Sequence, residues 1–213
     1  MSVLLCSMEG KGLTGLANLG NTCFINSCMQ VISHTYEFND FLDKNGGAYK
    51  DKLTAYHNKD YILDSKLLVE WDNLRKLMWQ KDQIISPGGF IKAIQFVAKH
   101  KGKDIFTGYA QNDLPEFLLF ILETFHNGMR REVDMVIKGN VKTDTDGLAV
   151  KCYEMMRTMY SKEYSEILDI FYGIHISKIE REDGQLMSTT PEPYFMVDLP
   201  IQMKQGLSIY NCF

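Results

Sequence analysis

The sequence predicts an α+β fold, with helices first and a short β region last. Two observations carry this: between residues 23 and 125 apolar side chains recur at three- and four-residue spacing, and after Tyr172 the pattern changes to alternation. A third concerns size, because 213 residues that are 45% apolar and 12% aromatic can bury a core, which excludes a disordered chain or a small stapled scaffold.

Residues 13–22, LTGLANLGNT, hold two glycines, two asparagines and two threonines, a composition suited to a loop of tight turns with exposed backbone amides. A helix follows from Cys23 to about His34, apolar over a wide face through Phe24, Ile25, Cys28, Met29, Val31 and Ile32, with Asn21 or Thr22 as its N-cap. The stretch 43–60 is polar, contains Gly46-Gly47 and reads as a connector. Leu63, Leu67, Trp71, Leu74 and Met78 then form one helical stripe, with charged residues on the opposite side. Ser86 and Pro87 suit an N-cap and first helical position for a helix that turns Phe90, Ile91, Ile94 and Val97 inward and ends in KHKGKD at 99–104.

The next helix has the clearest period, through Leu114, Phe117, Leu118, Ile121, Leu122 and Phe125, with Asp113 as N-cap and Pro115 tolerated in the first turn. Residues 139–147 read as a polar loop, and a methionine-rich segment leads on to Phe171. GIHISKI and YFMVDLPI alternate as strands, separated by a turn at Asp183-Gly184. The expected organisation is a lead-in at 1–12, a helical lobe at 13–170 and a β region at 171–213.

With 23 Lys and Arg against 27 Asp and Glu, the net charge of -4 lacks the basic excess that phosphate-backbone binding needs, so no nucleic-acid partner is expected. Weak acidity favours a basic partner. The five cysteines, at 6, 23, 28, 152 and 212, form no CxxC pair, which suits a reducing, intracellular setting. The opening MSVLLCSMEGKG reads against a secretory leader, and no apolar run is long enough to predict a membrane span.

Cys23 stands at the first turn of a buried helix behind a glycine-bearing loop, where helix amides and the macrodipole favour a thiolate. By residue type alone the favoured reading is a small core hydrophobe, and context reverses that preference. Asn18 and the amides near Cys23 could donate to an oxyanion formed when a thiolate attacks a carbonyl, which decides for the nucleophile.

GLANLGNTCFINSCMQ, residues 15–30, resembles the cysteine box of the ubiquitin-specific proteases, close to GLxNLGNTCYMNSxLQ, through Gly15, Leu16, Asn18, Leu19, Gly20, Asn21, Thr22, Cys23, Asn26, Ser27 and Gln30. YAQNDLPEFLLFIL, residues 109–122, is similar to the family's QQDAxEFLxxLL box through Gln111, Asp113, Glu116, Phe117 and Leu118, departing from it at Asn112, Leu114 and Pro115. SEILDIFYG, PYFMVDLPI and GLSIYNCF follow in family order as weaker matches. The resemblance implies a papain-like cysteine protease of the ubiquitin-specific protease type, with a helical thumb lobe followed by the start of a β fingers and palm region. It implies Cys23 as the nucleophile acting after ubiquitin's terminal glycine, and Asn18 as the oxyanion-hole side chain. Gln111 and Asp113 would hold the basic ubiquitin tail, Asp113 being as well explained as an N-cap. The implied partner is ubiquitin or a ubiquitinated protein, with no cofactor. The family's fingers often carry zinc on two CxxC pairs; here Arg181 and Gly184 stand where the first pair belongs, so no zinc is expected.

The chemistry also needs an imidazole and a group to orient it. The family takes its histidine from a later GHY box, and none occurs here. His34 lies roughly 16 Å along the helix from Cys23 at 1.5 Å per residue. His57 and His100 fall in polar connectors and His126 ends a helix; His175 lies in a strand that the resemblance assigns to the base of the fingers. The expectation is therefore a deubiquitinase cysteine lobe without its general base, weak or inactive as this chain. The alternative is a non-enzymatic ubiquitin-binding module of the same descent, with a papain-like peptidase of other specificity more distant. Without later strands to pair with, Phe195, Val197 and Leu199 are expected to be exposed.

Overall fold

The computed structural model describes residues 12–45, 59–80, 82–201, 206 and 208–212. In chain order its elements are β1 (Gly15–Leu16), α1 (Cys23–Ser33), α2 (Tyr36–Asn45), α3 (Lys59–Met78), β2 (Ile84–Ile85), α4 (Gly88–His100), α5 (Leu114–Met129), α6 (Asp144–Tyr160), α7 (Glu166–Phe171), β3 (Gly173–Glu180) and β4 (Leu186–Tyr194). Helix and sheet are thus both present, as an α+β chain requires. Two compact units result: one runs to Arg131 and resumes for Tyr164–Ile170, and the other takes Glu132–Glu163 and resumes at Phe171. Residues 132–163 group with the β3–β4 hairpin, whereas the expected organisation has them within the 13–170 lobe.

In the first unit α3 packs against α5 and α4, and its expected stripe Leu63, Leu67, Trp71, Leu74 and Met78 is buried throughout. Trp71 stacks on Phe125 at 6.3 Å, and Phe38 of α2 stacks on the same ring at 6.0 Å. Such offset aromatic pairs add about 0.5–1.5 kcal/mol each beyond their buried area.

The supposedly solvated side of α3 is not all solvated. Asp72 is fully buried and Arg75 is 4% exposed, with Arg75 Nη2 donating to Asp72 Oδ1 at 2.7 Å and to Asp43 at 2.5 Å. Lys76 Nζ reaches Asp72 Oδ2 at 2.7 Å. Charges three and four residues apart read as an exposed face in sequence, yet here Asp72 and Arg75 are buried, with Lys76 and Asp43 reaching them from the surface.

α3 and α5 come close at Gly128, whose carbonyl accepts from Ser65 Oγ at 3.1 Å. A Cβ on Gly128 would stand 3.1 Å from the backbone carbon of Asp64 and the nitrogen of Ser65. Those atoms belong to a long helix and cannot yield cheaply. Gly128→Ala is expected to destabilise by about 1 kcal/mol or more, overpacking outweighing the gain in helix propensity; urea denaturation measures it, and a more stable variant would contradict it.

Several elements depart from expectation. α2 was not expected, and 46–58 of the presumed connector lies outside the described residues. Ser86 is not the cap of α4: the N-cap is Pro87, whose carbonyl accepts from Ile91 N at 3.0 Å. The loop at 139–147 gives way to α6 at Asp144, initiated by a reciprocal capping box between Thr143 and Asp146. The hairpin's second strand is Leu186–Tyr194, earlier than YFMVDLPI; its register pairs Gly173 with Tyr194 and Ile176 with Pro191. The short turn fixes this register, because Arg181 N donates to Gln185 O at 2.9 Å and Gly184 sits at φ 81°. Beyond Tyr194 the backbone leaves the strand, with Val197 47% exposed.

Where the first unit lets the chain go and takes it back, Arg131 and Tyr164 form an antiparallel bridge with both N–H···O contacts at 2.9 Å. Arg131 grips Glu166 through two bonds of 2.9 and 2.6 Å and lies 5.1 Å over the Tyr164 ring. The Tyr164 hydroxyl bonds Asp169.

Candidate functional site

The loop before Cys23 is held from two sides. β1 pairs in parallel with β2, through Gly15 N to Gln83 O at 2.8 Å and Ala17 N to Ile85 O at 2.9 Å. From α1, Asn26 Nδ2 donates to Leu16 O and Ala17 O, both at 3.2 Å, and Gln30 Nε2 donates to Thr14 O at 2.9 Å. Asn26 and Gln30 are one helical turn apart, so both face the loop, and their spacing in the motif is that of two staples.

Within the loop Asn18 Oδ1 accepts three hydrogen bonds: from Gly20 N at 3.0 Å, Thr22 N at 3.1 Å and Thr22 Oγ1 at 3.1 Å. Two of the donors are backbone N–H groups, so the oxygen must face inward and the Nδ2 amide must face away. Asn18 is exposed, and Nδ2 is left to donate outward. Thr22 Oγ1 also accepts from Leu19 N at 3.0 Å. Thr22 is the N-cap residue of α1, but with its hydroxyl engaged in the loop it makes no side-chain cap.

Cys23 opens α1 and is exposed. The N–H groups of an uncapped first turn point out of the helix beside it. Cys28, on the same helix, is the contrast: it is buried, and desolvation pushes its thiol up to about 11. Beneath Cys23, Phe24 meets Phe117 edge-on at 5.0 Å, which anchors α1 to α5.

Gln111 and Asp113 are exposed in the segment entering α5. Asp113 is that helix's N-cap, its Oδ1 accepting from Glu116 N at 3.2 Å. Leu114, expected inward, is 41% exposed, since it lies at the helix start. The segment is tied to the cysteine loop by Asn21, whose Nδ2 donates to Tyr109 O at 2.9 Å. The fold thus brings Asn18 and Cys23 into one loop and links that loop to the approach to Gln111 and Asp113. In the sequence Asn21 stood out as a motif position and a candidate N-cap of α1; the cap is Thr22, and the tie to Tyr109 had no signal of its own.

The described histidines are engaged elsewhere. His34 caps the far end of α1 and bonds Gln30 O at 2.8 Å; His100 bonds Phe96 O at 2.8 Å; His126 bonds Ser165 Oγ at 2.7 Å. His175, in the second unit, bonds Glu192 across the hairpin at 2.9 Å. His57 lies outside the described residues. Among the described residues no cluster of three or more His, Cys, Asp or Glu side chains could hold a metal ion, and no helix is long and apolar enough to cross a membrane.

A family model described as ubiquitin carboxyl-terminal hydrolase matches residues 14–186. Ubiquitin carboxyl-terminal hydrolase 2 of Bos taurus is 33% identical over 206 residues, covering 92% of this chain and 31% of that protein. Ubiquitin carboxyl-terminal hydrolase 19 of Rattus norvegicus is 30% identical over 200 residues, covering 93% of this chain and 14% of that protein. For ubiquitin carboxyl-terminal hydrolase 15 of Xenopus tropicalis the values are 31% over 212 residues, 95% and 20%. The chain therefore spans about a third or less of the length of the curated relatives it matches. A match over most of its length, together with an asparagine-locked loop leading into an exposed helix-opening cysteine, makes this chain a member of the ubiquitin carboxyl-terminal hydrolase family.

Proposed function

We propose that this chain is the cysteine-bearing part of a deubiquitinase, a papain-like thiol hydrolase with a helical thumb and the start of its fingers and palm. The observation that carries the reading is the Asn18 turn. Three bonds lock its oxygen inward and present its amide donors five residues before an exposed thiol.

In this reading Cys23 Sγ attacks the carbonyl carbon after ubiquitin's terminal glycine. The carbonyl oxygen becomes an oxyanion, stabilised by Asn18 Nδ2 and by N–H groups at the start of α1. Collapse of the intermediate breaks the C–N bond, the lysine amine leaves with a proton from an imidazolium, and water hydrolyses the thioester. Gln111 and Asp113 receive the extended basic tail, Asp113 while still capping α5. Among the described residues His34, His100 and His126 each spend Nδ1 on a partner near a helix end and His175 bonds Glu192, so this reading assigns the general base to none of these four. A free thiol nucleophile suits a reducing, intracellular site of action.

Ubiquitin carrying a C-terminal electrophile is expected to add once, at Cys23, as read by mass spectrometry. No adduct, or one that survives Cys23→Ala, overturns the reading. Ubiquitin binding without an adduct favours a non-enzymatic ubiquitin-binding module instead.

A further inference from the structure

We infer that Asn21 is a positioning residue: it fixes the distance between the nucleophile loop and the segment that receives the substrate's tail. The inference rests on the deubiquitinase reading above for what that tail is, and on geometry for the rest.

Asn21 has φ 51°, and it is the one non-glycine residue with positive φ among those described. Its neighbour Gly20 has φ 104°. An asparagine tolerates this left-handed conformation better than most residues, but glycine adopts it with no steric cost. Backbone shape alone would therefore be served as well by a second glycine. What asparagine adds is an amide that spans 88 residues to donate to Tyr109 O at 2.9 Å. The acceptor is a backbone carbonyl, so the side chain's orientation is unambiguous.

The two ends of this strut are what give it meaning. Asn21 is two residues before Cys23, and Tyr109 is two residues before Gln111. The adjoining carbonyl, Gly108 O, is held from the other side by Gln95 Nε2 of α4 at 3.3 Å. Asn21, Gln95, Tyr109, Phe24 and Phe117 line one small cleft beside the loop. The 108–109 segment is thus suspended between α4 and the cysteine loop, and Asn21 supplies the hydrogen bond seen among the described residues that couples it to the loop. A tail lying across Gln111 and Asp113 must bring its last carbonyl to Cys23, and the separation of those two points is set by this bond. Misplacement by about 1 Å in such a geometry can cost on the order of a hundredfold in rate.

Asn21→Gly keeps the backbone conformation and removes the strut. Asn21→Asp keeps the size but sets a carboxylate against the Tyr109 carbonyl. Three readouts on the wild-type chain and both variants test the inference: labelling of Cys23 by the ubiquitin electrophile, labelling of Cys23 by iodoacetamide, and hydrogen exchange at Phe106 and Thr107, whose amides close the turn leading to Tyr109. The expected result is ubiquitin labelling slowed on the order of tenfold in Asn21→Gly and further in Asn21→Asp, iodoacetamide labelling within about twofold of wild type, and faster exchange at 106–107. Unchanged ubiquitin labelling, or equal slowing with both reagents, overturns positioning. Unchanged exchange overturns the strut. If the wild-type chain is not labelled by the ubiquitin electrophile at all, the deubiquitinase reading falls, and the exchange result alone decides whether Asn21 braces the segment.

Discussion

Asn18→Asp is expected to leave the chain folded and to weaken capture of a ubiquitin C-terminal aldehyde by about 10²–10³-fold, the usual effect of losing one oxyanion donor. The aldehyde forms a tetrahedral hemithioacetal on Cys23, so it samples oxyanion stabilisation without any general base. The substitution separates the two jobs of Asn18. A carboxylate still offers an oxygen to Gly20 N, Thr22 N and Thr22 Oγ1, which keeps the loop. In place of the outward amide it offers a second acceptor, which repels the oxyanion. Affinity for ubiquitin with its ordinary carboxyl terminus is expected to stay within about twofold by calorimetry, as that ligand makes no tetrahedral adduct. Equal loss for both ligands would mean that Asn18 serves only the loop, and undiminished aldehyde binding would remove it from the oxyanion hole.

Arg75→Met is expected to cost about 3 kcal/mol at pH 7, because it takes from a fully buried carboxylate one of the two cations that pair with it among the described residues. Burial pushes Asp72 up, but hydrogen bonds from Lys76 and Arg75, with the charges of both, outweigh it and hold the carboxyl below its ordinary value. The sign follows from that direction. A depressed carboxyl supplies stability that is complete above the unfolded value, about 3.9, and is lost as pH falls through the lower folded value. The gap between wild type and Arg75→Met should therefore be widest near neutrality and narrow in strong acid, where protonated Asp72 no longer needs its partner. Denaturant titrations at pH 7 and in strong acid measure it; a gap that does not change would assign the loss to packing of the arginine stem.

How much of this was legible in sequence depends on whether the information was local. The start of α5 was readable to the residue, because a regular apolar period and an Asp three residues before Glu116 are both local facts. α2 was not: Phe38 and Leu42 are its buried anchors, but Asn39, Asp40 and Asp43 dilute the pattern. Asn39 is buried only because its side chain reaches Ser33 O at 2.6 Å. The Asp72–Arg75 pair has the spacing of an exposed helical ion pair, and its burial is decided by how α3 packs on its neighbours, which no local pattern encodes. Strand β4 was misplaced because alternation in YFMVDLPI is a local signal, whereas the turn at Asp183-Gly184 dictates which residues meet β3. At the site, the place of Cys23 at the opening of α1, with Asn18 in the loop before it, was legible through the motif around them, and so was Asp113 as a cap. The tie from Asn21 to Tyr109 was not, since no periodicity encodes a contact across 88 residues.

The bridge between Arg131 and Tyr164 bears on how such a chain can change over evolutionary time. The two ends of the excursion between them leave and return within hydrogen-bond distance, and the clamp of Arg131 on Glu166 belongs to the first unit alone. Doubling the length of a segment closed this way costs only about 0.6 kcal/mol of chain entropy. The position is therefore a natural splice point: material can be lengthened, shortened or exchanged there while the loop that carries Asn18 and Cys23 stays as it is.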